Sequence, residues 1–151
     1  MLKFREIGTY KNAVNIGFCT ADVALKNGNV VTFNRATKKA ALPVTGEEAG
    51  LAIVMNTIDK PEIHEPNDFV IEVGENPRLF TLESLKGRVI DMDMDQVEGT
   101  YASINVGDKL VANSEGKLEV AADVTDYAEY FEVIEKTSYN TEGLAVMVVI
   151  A

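Results

Sequence analysis

The chain has 151 residues, 46% of them hydrophobic and 25% charged, proportions that fit one globular domain over 1–151 and exclude a disordered tail or a collagen-like rod. Acidic residues outnumber basic ones 24 to 14, a formal charge of −10 that repels phosphate backbones and anionic lipid surfaces, so no nucleic-acid or membrane partner is expected. There is no apolar run of the ~18 residues a membrane helix needs, the start MLKFREIGTYKN lacks the apolar stretch of a secretory signal, and a single cysteine leaves no internal disulfide, all of which fits synthesis in a reducing cytosol.

Residues 1–21 match no recognisable pattern. Further on, short apolar runs bounded by Gly, Asn, Asp and Pro replace helical periodicity, which is the mark of strands and turns. Asn27-Gly28-Asn29 is a turn signal that leads into a strand over 30–34 (VVTFN). Residues 51–55 (LAIVM) form a continuous apolar run and predict a strand buried on both faces. A polar stretch over 59–68 reads as a surface loop, followed by a strand over 69–73 (FVIEV). Leu79, Leu82 and Leu85 are spaced three apart and end at Gly87, which predicts a short helix over 79–86.

Residues 88–94 (RVIDMDM) alternate as a half-buried strand does. Runs at 109–113 and 117–120 flank Ser114-Glu115-Gly116, a three-residue hairpin loop with Gly at the left-handed position. Residues 124–134 fit both periods, and the reading adopted is a helical turn near 126–130 and a strand from Phe131. The run 144–150 (LAVMVVI) is the most hydrophobic and is expected to be a central strand. The fold class is therefore mainly β, a small β-barrel or β-sandwich with one or two short helical turns.

Two pairs of segments echo each other. Residues 28–34 and 107–113 both read G-[ND]-x-apolar-x-x-N, and 50–55 (GLAIVM) resembles 143–148 (GLAVMV). The echoes occur in the same order, which suggests strands recurring in two similar groups.

No catalytic constellation is legible. His64, the only histidine, sits between Glu62 and Glu65 in the polar loop and reads as a solvated loop residue. Cys19 has no CxxC partner and no basic residue beside it in sequence, so it reads as a small core residue. Ser114–Lys117 matches the bare S-x-x-K spacing, but in a hairpin turn rather than at a helix start. There is no Gly-rich phosphate cradle and no tetrahedral zinc set of Cys and His, so no cofactor is expected. Asp91, Asp93 and Asp95 begin like a calcium loop, yet Gln96 and Ala102 stand where an EF-hand needs Gly and Glu. On a strand the three carboxylates share one face and Met92 and Met94 the other. A solvated acidic face is the first reading, and a cation bridged by the carboxylates the second. Tyr127, Tyr130, Phe131 and Tyr139 cluster late, as core filling or as an interface where rings with polar tips find partners.

The Gly28-Asn29-Val30-Val31 strand start, the Val106-Gly107-Asp108-Lys109-Leu110 turn, Gly116-Lys117-Leu118, Phe131-Glu132-Val133-Ile134-Glu135 and the terminal strand over 145–150 together resemble the layout of tailed-bacteriophage capsid decoration proteins, also called head auxiliary or cement proteins. The likeness spans about residues 27–151. It implies a non-enzymatic virion protein, made in the host bacterial cytoplasm, that binds the major capsid protein on the outer surface of the head and self-associates, for example as a trimer. Residues 1–21 would then be an N-terminal arm on a body formed by 22–151, and Phe4, Tyr10, Tyr127, Tyr130 and Tyr139 would be the contact residues. Two other classes compete: another virion structural subunit (tail tube, baseplate or head fibre), and a small-ligand or sugar-binding β module.

Overall fold

A computed structural model describes residues 2–138 and 141–151. Its strands are β1 (Leu2–Phe4), β2 (Asn15–Ile16), β3 (Thr20–Ala21), β4 (Val30–Asn34), β5 (Lys39–Ala41), β6 (Ala52–Val54), β7 (Leu79–Thr81), β8 (Val89–Asp93), β9 (Lys109–Ala112), β10 (Leu118–Ala121), β11 (Glu129–Thr137) and β12 (Gly143–Ile150). One short helix, α1 (Ile7–Asn12), and three single 3-10 turns complete the described elements.

The first sheet runs β1-β8-β12-β11-β9-β10 and the second β2-β7-β6-β4-β5-β3. Pairing is antiparallel throughout except between β3 and β5. Each sheet keeps two distinct edges, so the architecture is a sandwich and the barrel alternative falls.

Between the sheets lies the larger core. Phe4, Ile90, Phe131 and Val146 from the first sheet meet Val30, Ile53 and Phe80 from the second, each such side chain contributing roughly 1.5–3 kcal/mol by leaving water. A second core lies on the far face of the second sheet. There Val31, Ala52, Val54 and Leu79 are covered by Cys19, Leu25, Phe69 and Ile71 from the loops before β3, β4 and β7. The all-apolar run of β6 follows from this, since Ile53 enters one core and Ala52 and Val54 the other. As expected, 144–150 gives a central strand, with β8 and β11 on either side of β12.

Two glycines are demanded by geometry. Gly116 (φ 70) takes the left-handed position of the β9–β10 hairpin. Gly46 (φ 85) packs so closely that a Cβ would stand 1.8 Å from the Ala112 carbonyl oxygen.

Several expectations are corrected. Residues 69–73 are not a strand: after a 3-10 turn at Pro66–Asp68 only Ile71 pairs, with Leu25, because the segment serves as a lid whose Phe69 and Ile71 fill the second core. Of residues 79–86 only Glu83–Leu85 is helical, a single 3-10 turn, and Leu79–Thr81 is strand. β6 offers Leu79–Thr81 a ladder partner, and the three leucines divide between cores, Leu79 into the second and Leu82 and Leu85 into the first. Near 126–130 a non-helical turn replaces the helical one, and β11 starts at Glu129, two residues early, because β12 extends far enough to pair Glu129 with Ile150. Nor do the first 21 residues form a separate arm. β1, β2 and β3 each add to a sheet, and Phe4 anchors β1 in the main core.

The first echo has a structural counterpart. In both sheets the consecutive strands β4–β7 and β9–β12 lie in the order second, first, third, fourth, all antiparallel. The echo between 28–34 and 107–113 joins β4 to β9, which occupy equivalent places. The second echo joins β6 to β12, which do not: by order β6 corresponds to β11.

Candidate functional site

The two faces of the first sheet differ. β8 alternates strictly, with Ile90 and Met92 in the main core and Val89, Asp91 and Asp93 outward. On β12 the outward set is Ala145, Met147 and Val149. Among the described residues these outward side chains belong to neither core, and they make up a half-buried face on which Ala145 is itself fully buried.

Register lines up Lys3, Asp91, Ala145 and Glu135 across β1, β8, β12 and β11. Arg5, just past β1, reaches across this row. Its Nη2 donates to Asp91 Oδ1 at 2.7 Å, its Nε donates to the same carboxylate at 3.1 Å, and its Nη1 donates to Glu135 Oε2 at 2.8 Å. The strand between the two carboxylates presents only the Ala145 methyl, which leaves room for the guanidinium. Hydrogen bonding to Asp91 first, then to Glu135, holds Arg5 still more firmly in its charged form, against a smaller opposing effect of burial. Beside this clasp Lys3, Asp93, Thr137 and Gly143 help to line a shallow pocket of about 250 Å³.

Farther along the same face Tyr130 points outward from β11, with Lys109 Nζ 5.6 Å from its ring centroid. Tyr127 lies half-buried before β11, where burial, then the nearby Glu47, Glu119 and Asp126, push its hydroxyl above the usual value.

The residues read from the sequence as contacts do not form one surface. Phe4 is only 4% exposed and stacks on Tyr10 (centroids 4.6 Å) and against Phe80, so it is a core residue and not a contact. Tyr10 stays partly exposed at the β1 edge, with its hydroxyl 3.7 Å from the Met55 sulfur. Tyr130 projects from the opposite half of the sheet, and Tyr139 lies outside the described residues.

The acidic row is split as well. Asp91 is ion-paired to Arg5, and Asp93 lies on the open face beside it. Asp95 falls beyond β8, where its carboxylate accepts from Gln96 Nε2 at 2.6 Å and lies 3.8 Å from Lys26. Met92 is buried and Met94 partly buried against the main core. Among the described residues no group of three potential metal ligands converges.

His64 is exposed in its loop, and Ser114 sits in the hairpin turn, with the Lys117 ammonium on Glu98 at 2.9 Å. Cys19 is fully buried. Burial pushes its thiol up, and Arg35, sixteen positions away in sequence, opposes the shift through space. Sequence reasoning missed Arg5 and Glu135, because only the registers of β1 on β8, β8 on β12 and β12 on β11 bring residues 5, 91 and 135 together. Comparison with protein-family models, curated proteins and solved structures returns no match.

Proposed function

We propose that this chain is a tailed-phage capsid decoration protein, which binds the major capsid protein on the outside of the head through the open face of its first sheet and does no chemistry. The observation that carries the reading is the unequal covering of the two sheets: one has an apolar core on both faces, while the other presents a half-buried, charged face beyond its single core. A surface fixed by six paired strands needs little ordering on attachment, which lowers the cost of binding. The segments that carry the resemblance fall on β4, β9, β10, β11 and β12. The charge of −10 suits a protein kept soluble at high copy number. Its location in this reading is the virion surface, and a trimer would multiply attachment when all three copies engage.

The test is co-sedimentation of the purified protein with undecorated, expanded heads of the phage that encodes it. Saturable binding at a fixed ratio per capsid subunit is the expected result. Absence of binding, or assembly into tubes without heads, would reject the reading in favour of another virion subunit or a ligand-binding module.

A further inference from the structure

Glu129 opens β11 with its side chain turned inward, and the residue is only 5% exposed. Its Oε2 accepts the Leu51 backbone N–H at 2.6 Å, and the neighbouring Gly50 N–H also favours the charged carboxylate. Leu51 stands immediately before β6, so one carboxylate on the first sheet holds the entry to the central strand of the second. Most of the contact between the sheets is apolar, and here a charged group bridges them instead. Among the described residues no Lys, Arg or His lies within ion-pair distance of Glu129. The charged group that acts on it from the neighbouring 3-10 turn, Glu83–Leu85, is Glu83, of like sign.

We propose that Glu129 is a proton-operated latch between the sheets, holding the entry to β6 more tightly in acid than at neutral pH. The charged carboxylate gains from two backbone donors, but it has lost its hydration and has no counter-ion. Buried as deeply as this and without a counter-ion, the Glu129 charge loses more in hydration than the backbone donors return. Burial first, and Glu83 in addition, therefore push the carboxyl above its ordinary value of 4.5 against the Leu51 and Gly50 donors. The sign follows by linkage. With the folded value raised, the contribution is fully present below about 4.5 and is lost as pH rises through the folded value. Glu48, Glu75 and Asp123 have the opposite sign. Their folded values are lowered: for Glu48 burial, the largest single influence, is outweighed by several backbone donors together, for Glu75 the Glu72 N–H leads, and for Asp123 Thr125. Their contributions vanish in acid. A bulk melting curve mixes the two signs, and the latch must be read at its own atoms.

The experiment is a carbon-detected titration of the Glu129 carboxyl in the intact protein, with the protection factor of the Leu51 amide followed over the same pH range in wild type, Glu129→Gln and Glu83→Gln. The expected midpoint for Glu129 lies above those of the exposed glutamates and moves down in Glu83→Gln. Leu51 protection, taken relative to Glu129→Gln, should fall through that midpoint, about tenfold for each unit by which the midpoint is displaced. A midpoint at or below the ordinary carboxylate range would overturn the proposal. So would a Leu51 protection ratio that does not vary with pH. If Glu129→Gln does not fold, the wild-type titration and its response to Glu83→Gln decide the matter, since Glu83 is exposed and outside the core.

Discussion

The two sheets have six strands each and opposite burial patterns. In the second sheet β6 is buried at every position, while in the first β8 alternates buried and half-buried residues. A sheet covered on both faces must be apolar on both, and one covered on a single face needs apolar residues only at every second position. The covering of the second sheet is irregular chain, held by lid residues such as Leu25, Phe69 and Ile71. On the outward face of the first sheet Val111 and Ala145 are buried without joining a second apolar core among the described residues, and an ion-paired clasp crosses the strands instead. The difference teaches where each sheet keeps its freedom to change. Substitutions in β6 disturb two cores at once, whereas the outward positions of β8 and β12 lie outside both.

The largest effect expected from this contrast is in the core. Ile53→Ala should cost about 2–5 kcal/mol, the range for truncating a large aliphatic side chain in a packed interior. Val149→Ala, on the open face, should cost less than about 1 kcal/mol, as surface substitutions usually do. Urea unfolding of the two variants measures both. Equal losses would mean that the first sheet is as closed as the second.

A smaller effect is expected at the clasp. Arg5 has 36% of its side chain exposed and Asp91 17%, so solvent screens the pair and Arg5→Ala should cost roughly 1 kcal/mol, less in high salt. Arg5→Lys should recover only part of this, since an ammonium cannot match the guanidinium's paired contacts on two carboxylates. Thermal melts at low and high salt would show it. A loss unaffected by salt would mean that Arg5 acts through packing of its stem.

Much of the β framework was legible because burial writes itself into periodicity. The strands over 30–34, 88–94 and 109–120 and the two-faced run 51–55 appear as expected, each within a residue or two. What stayed hidden depends on contacts far apart in sequence. The leucines at 79, 82 and 85 look helical until β6 supplies a ladder. Residues 69–73 look like a strand until they are needed as a lid. The short strands β1, β2, β3 and β5, two or three residues each, are too brief to show a period. At the candidate site the outward face of Asp91 and Asp93 was readable from alternation, but not the turning away of Asp95 once β8 ends. The Arg5 clasp and the Glu129 latch were invisible because each joins residues far apart in sequence, the first through strand register and the second through packing of one sheet on the other.

The central claim, that the chain attaches through the open face of its first sheet, is tested most directly by carbodiimide labelling of carboxylates in free and head-bound protein. Glu119, Glu132 and Glu135 stand on the open face, and Asp59, Glu62 and Glu65 stand in the loop before β7, on the side of the second sheet. The account predicts that binding suppresses labelling of Glu119, Glu132 and Glu135 and leaves Asp59, Glu62 and Glu65 reactive. Suppression confined to Asp59, Glu62 and Glu65, with the open face still fully labelled, would contradict it.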